Sequence, residues 1–150
     1  MQLLSADTPI GRHLPSVSRQ MTLRQFQERH ETVYGPNVWP KNNLHADEEA
    51  ARREGLDAPV AAAPTIFSLV TRMMMMTFEE GWIVGGAMSL KMIKPVYAGD
   101  FVTAKGFVSD KRAESAGVRL VCSVWVENAQ GDKVVVGEAS AIAHDRADPE

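Results

Sequence analysis

Residues 58–78 read APVAAAPTIFSLVTRMMMMTF, and the fold is decided by what this stretch needs around it. Pro64 follows a run of small residues and suits the first position of a helix, where its missing N–H is not needed. The spacing predicts a helix over 64–80, stopped by Gly81. Ile66, Phe67, Leu69, Val70, Met73, Met74, Met76 and Phe78 fall round nearly its whole circumference, which predicts a largely buried helix. The four consecutive methionines read as adaptable core packing rather than as a cofactor box. Such a helix needs a sheet to wrap it, and the second half of the chain offers strands at 84–94, 101–109, 118–127 and 133–143. Turn residues at 95–100, 110–117 and 128–132 separate them. In the third strand Val118, Leu120, Cys122, Val124 and Val126 share one face, with Arg119, Ser123 and Glu127 on the other. The expected architecture is α+β: antiparallel strands curled around one long buried helix, in a single domain over residues 1–150. Gly85-Gly86 reads as a bulge or a close backbone approach in the first long strand.

Upstream, Pro9, Gly11 and Pro15 predict an irregular arm with a short strand at 16–21. Thr22-Leu-Arg-Gln25 is a capping box that opens a helix with Leu23, Phe26 and His30 on one side, ending near Tyr34-Gly35. Residues 35–43 are rich in proline and asparagine and predict an ordered loop, with Val38 and Trp39 packed on something. Asp47 reads as the N-cap of a short helix. Glu48 and Glu49 stand in its first turn, Arg52 and Arg53 near its end, and Gly55 terminates it, the charge order that suits a helix dipole.

The composition excludes several classes of function. With 150 residues and 45% apolar content the chain can build one core unaided. Sixteen basic and nineteen acidic residues are mixed along it, for a net charge of -3, and leave no electrostatic footprint for nucleic acid. The one cysteine, Cys122, has no partner for a disulfide or a zinc site, which fits a reducing cytoplasm. The longest apolar stretches are broken by Pro64, Thr71, Arg72 and Thr77, so neither a membrane span nor a signal peptide is expected.

One polar cluster has catalytic potential: Asn42-Asn43-Leu44-His45-Ala46-Asp47, just before the Asp47 helix. Histidine ordinarily titrates near neutral pH, which suits His45 to general acid–base work, and an amide such as Asn42 can orient a water or the imidazole. The plain alternatives are a structural His45 bonded to loop backbone, turn asparagines and a capping Asp47. His30 reads as a partly buried packing residue, and Glu31 and Glu48 are the nearby carboxylates that could serve as an acid partner for His45.

These motifs resemble the hot-dog fold and, more narrowly, the MaoC-like family of (R)-specific enoyl-CoA hydratases and dehydratases. Asn42 to His45 is similar to the end of the family's Gly-Asp-x-Asn-Pro-(aliphatic)-His signature, and Asp47 to Gly55 to the charged helix after it. Pro59-Val-Ala-Ala-Ala63 resembles its Pro-(Ile/Val)-Ala-His-Gly turn, and Lys91 to Asp100 its strand ending in Pro-Val-x-x-Gly-Asp. The chain departs from the pattern at named places. Gly35 is followed by Pro36 rather than by the catalytic aspartate, Asn43 stands for the proline, and Ala62-Ala63 stand for His-Gly.

The resemblance implies an acyl-thioester lyase that adds water to an enoyl group or removes it from a 3-hydroxyacyl group. His45 would transfer the proton, Asn42 would position the water, and the Ala63 N–H would polarise the thioester carbonyl. Asn43, Ala62 and Trp39 would line the substrate site, while Lys91 and Lys94, with Arg72, would reach the phosphates of the carrier. No cofactor is implied beyond coenzyme A or an acyl-carrier arm as the substrate's handle. A homodimer or higher even oligomer is expected, with the site near the subunit boundary. A hot-dog thioesterase, a non-catalytic subunit of a heteromeric hydratase, and a lyase or cyclase on a non-thioester substrate are the alternatives.

Overall fold

The computed structural model describes residues 3–36 and 43–143. Five antiparallel strands form one sheet: β1 (Val17–Gln20), β2 (Ala87–Met92), β3 (Phe101–Glu114), β4 (Gly117–Asn128) and β5 (Lys133–Ala143). They lie in the order β1-β3-β4-β5-β2. The helices are α1 (Leu23–Tyr34), α2 (Glu48–Arg53), α3 (Ala63–Phe78) and α4 (Glu80–Gly85). The sheet curls over α3, whose Ile66, Leu69, Val70, Met73 and Met74 pack in one cluster with Val102, Val108, Leu120, Cys122, Val124 and Val135 of the strands. The expected α+β arrangement is present, and the arm does supply the short edge strand β1.

Local chemistry explains most element ends. Thr22 Oγ1 accepts from Gln25 N–H at 3.2 Å while Gln25 Oε1 accepts from Thr22 N–H at 3.3 Å, closing the capping box. Gly35 ends α1 at φ 81°, where a side chain would be strained, and donates back to the Glu31 carbonyl. Asp47 caps α2 through Ala50 N–H at 2.7 Å. In β4, Leu120, Cys122, Val124 and Val126 are buried as the alternation predicts, with Val118 partly buried at the strand's start.

Three boundaries differ from expectation. The central helix does not stop at Gly81: α3 ends at Phe78, Glu79 turns the chain at φ 46°, and α4 follows at once. Residues 84–86 are therefore not strand, and β2 starts at Ala87. The glycines there serve close approach rather than a strand bulge. A Cβ on Gly81 would overlap the Ile142 carbonyl oxygen, and one on Gly85 would meet the Ile142 side chain, so α4 presses directly on β5. Residues 110–117 are not a loop either. After a register shift between Val108 and Asp110, pairing continues to Glu114↔Gly117, and Arg119 with Glu114 clasps the hairpin end at 2.6 Å. The charged residues that look like a turn are cross-strand partners. Finally, α3 keeps one open side, where Ser68, Arg72 and Met75 are exposed. No helix of the described residues is long and apolar enough to cross a membrane.

Candidate functional site

His45 lies in the tight turn from Asn43 to the cap Asp47, and three separate elements hold it there. Within the turn, Asn43 Oδ1 accepts from the His45 backbone N–H at 2.9 Å, and the Asn43 carbonyl accepts from Ala46 and Asp47 N–H groups at 3.1 and 2.9 Å. Asparagine stabilises such turns by bonding its own backbone two residues on. From α1, Gln27 donates to the Ala46 carbonyl at 3.1 Å. From the segment leading into α3, Val60 N–H donates to the Leu44 carbonyl at 3.1 Å.

The side chain is oriented as firmly as the backbone. His45 Nδ1 lies 2.8 Å from the Val60 carbonyl oxygen. A carbonyl can only accept, so Nδ1 carries the proton and the neutral ring keeps its lone pair on Nε2. That is the tautomer of a base. The ring is half-buried and stacks on His30, centroids 5.6 Å apart at 28°; His30 in turn stacks on Tyr34 at 5.8 Å and 24°. Burial first, then the charge of His45, then that of Arg29, hold the His30 ring's proton affinity below the ordinary histidine range.

The same segment that anchors His45 delivers the start of α3. Val60 bridges to Tyr97, Ala61 N–H donates to the Val96 carbonyl at 2.8 Å, and Ala98 N–H donates to the Pro59 carbonyl at 2.9 Å. Ala63 is three residue steps on from Val60, a reach of at most about 11 Å. No side chain caps α3, because Ala62 has none to offer. Of its first N–H groups, Pro64 has none and Thr65 donates to the Ala62 carbonyl at 2.9 Å. The Ala63 N–H has no acceptor among the described residues. An uncapped helix start with one open donor and a positive dipole end is suited to an oxygen that gains negative charge. Thr65 Oγ1, in the same first turn, is buried with no hydrogen-bond partner among the described residues. Such a hydroxyl costs about 1–3 kcal/mol unless something binds it.

His45, Asn43, Ala62 and Ala63 are thus tied to one short segment. Asn42 and Trp39 lie outside the described residues. Lys94 is exposed, ion-paired with Asp132 at 3.5 Å, and two residues ahead of Val96, which puts it near the Ala61 turn. Lys91 is placed otherwise: it alternates with Leu90 and Met92, which pack on the core, so it stands on the outer face of the sheet. Arg72 is on the open side of α3. Glu31 and Glu48 are exposed, Glu48 pairs with Arg52 at 3.6 Å, and no carboxylate bonds His45 among the described residues. Cys122 is no rival nucleophile, since burial pushes its thiol up to about 12. The sequence reading missed His30 as the neighbour of His45 and missed Thr65. The first left a trace in the His30/Tyr34 spacing of four on α1, whereas nothing in the sequence marks the Thr65 hydroxyl as buried.

No protein-family model matches the sequence, and no curated protein matches it by sequence. Solved structures do resemble it. A MaoC-like dehydratase from Rhodospirillum rubrum superposes with a TM-score of 0.77 at 18% identity, over 97% of this chain and 99% of that one. The unliganded (R)-hydratase of Pseudomonas aeruginosa gives 0.72 at 19%, over 94% and 85%. The HadBC 3R-hydroxyacyl-ACP dehydratase complex of Mycobacterium tuberculosis gives 0.63 at 20%, over 89% and 97%. The chain has the hot-dog fold, in the form that these hydratases and dehydratases carry.

Proposed function

We propose that this protein is an acyl-thioester hydro-lyase of the MaoC-like kind, interconverting an enoyl thioester and its 3-hydroxyacyl form. The observation that carries the reading is the His45 Nδ1 contact to the Val60 carbonyl, which leaves Nε2 as a base on a ring tied to the segment that opens α3. In the hydration direction Nε2 takes a proton from water, the water oxygen bonds to the β-carbon, and the electron pair of the double bond moves onto the thioester oxygen. The Ala63 N–H stabilises that enolate, and the imidazolium then returns its proton to the α-carbon, so the sum is one water added. The carboxylate that pairs with histidine in the family's signature has no counterpart after Gly35, and one imidazole carries both proton transfers. The carrier is coenzyme A or an acyl-carrier arm, with Lys94 near enough to the Ala61 turn to meet its phosphates; a cytoplasmic setting belongs to the same reading.

The test is to follow crotonyl-CoA and longer enoyl-CoAs by loss of conjugated absorbance, with a thiol reagent in parallel. Loss of conjugation without free thiol is the expected result, weaker on short chains than two proton-transfer groups would give. Thiol release would instead make the protein a thioesterase. Silence in both assays across chain lengths would sink the thioester reading and leave a non-catalytic subunit or a non-thioester lyase.

The reading includes a homodimer. β2 is an edge strand of the sheet, and Met88 on it is exposed, as are Ile83 and Val84 of α4 just before it. An open strand edge beside exposed apolar side chains is normally covered in a folded protein, and a second copy is the simplest cover. Light scattering at micromolar concentration should give twice the chain's 16.5 kDa or an even multiple of it; a monomer would refute the assembly.

A further inference from the structure

His30 and Tyr34 stand four apart on α1, so their rings share one helix face, and they continue into His45 as a three-ring stack. We propose that His30 is a positioning residue for the reaction, whose ring face, together with the Val60 carbonyl, fixes the plane of the His45 imidazole and so the aim of Nε2. A single hydrogen bond at Nδ1 sets the point about which an imidazole swings but leaves its tilt free. A flat ring packed against its face removes that freedom.

The platform is itself held. α1 is closed at its start by the Thr22–Gln25 box, and Gln27 ties it to the Ala46 carbonyl, so helix and turn move together. His30 is only 8% exposed, which leaves its ring little room to leave the stack. Its electrostatics suit the task. Among the described residues, the charged and titratable groups around it are His45 across the stack and Arg29 and Tyr34 on its own helix. Burial and the neighbouring charges disfavour a charged His30, so its ring stays neutral beside His45. A neutral aromatic face then meets the imidazolium, and the second ring adds no like charge.

This inference rests on His45 being the proton-transfer group, and its test separates the two ideas by reading the ring without substrate. In protein labelled with 15N, imidazole nitrogen shifts report the tautomer of each histidine. The wild type should show His45 as one Nδ1–H tautomer. In His30→Ala the freed ring should tilt out of line with the Val60 carbonyl and weaken that bond, which turns the single tautomer into a mixture and lowers turnover about tenfold at unchanged KM, the pattern of a misaimed group. His30→Phe, which keeps a flat ring, should retain the single tautomer and stay within about twofold of wild-type turnover. If His30→Ala does not fold, His30→Leu fills the volume without a flat face and takes its place with the same expectations. A single tautomer and full turnover in the alanine or leucine variant would overturn the proposal, as would a phenylalanine variant that falls as far as they do. Should the wild type prove inactive on every thioester, the tautomer spectra still decide.

Discussion

Replacing His45 with alanine is expected to lower enoyl-CoA hydration by about a hundredfold or more, the usual size of a general acid–base contribution. The expectation follows from how little else is present to move a proton. Among the described residues no carboxylate bonds His45, Asp47 is engaged in capping α2, and Cys122 is buried with its thiol held protonated. The structural cost of the change should be small. The lost bond to the Val60 carbonyl is a single hydrogen bond from a half-buried side chain, worth about 1 kcal/mol. For a chain of this length that is a few degrees in Tm. The segment stays tied through Val60 N–H to Leu44 and Ala61 N–H to Val96. His45→Asn sharpens the test, because its amide N–H can replace Nδ1–H at the carbonyl but cannot accept and return a proton. Asparagine should restore most of the lost stability and none of the turnover. Activity retained by either variant would return His45 to a purely structural role.

The sequence makes the fold legible because its strongest signals are large and periodic. A helix apolar on most sides can only exist inside something, and four alternating stretches downstream supply the cover; the capping box and the Asp47 cap are equally local, and both are present. What the sequence hides is decided by tertiary contact. Gly81 reads as a stop signal, yet it is glycine because α4 lies on the Ile142 carbonyl. Asp110 to Glu114 reads as a polar turn, yet its charges are balanced by partners on the neighbouring strand and by Arg112 beside Asp110. The site was half legible for the same reason. His45 stands out as the one imidazole in a polar cluster, and the small residues before Pro64 mark a helix start. That the two are joined through the Val60 carbonyl depends on a bond across fifteen residues, and the His30 platform on a helix from another part of the chain.

The largest effect on the chemistry without a change of side-chain function should come from Ala63→Pro. Proline at this position deletes one atom group of interest, the backbone N–H, and little else. Ala62 is already extended, at φ -68° and ψ 146°, which is the conformation that a residue before proline prefers. Position 63 is the first residue of α3, where proline is well tolerated, and the Thr65 N–H to Ala62 carbonyl bond does not involve it. The melting temperature should therefore hold or rise slightly, since proline also restricts the unfolded chain. If the Ala63 N–H receives the enolate oxygen, turnover should fall by about 100- to 1,000-fold, as it does when a single oxyanion donor is removed. Ala63→Gly is the control: it keeps the N–H and should remain near wild-type turnover, apart from a modest cost in helix stability. The contrast between proline and glycine isolates the donor, because both remove or alter the same methyl group. Full activity in the proline variant would mean that the carbonyl is polarised elsewhere, with the unpartnered Thr65 hydroxyl of the same helical turn as the next group to replace, by valine.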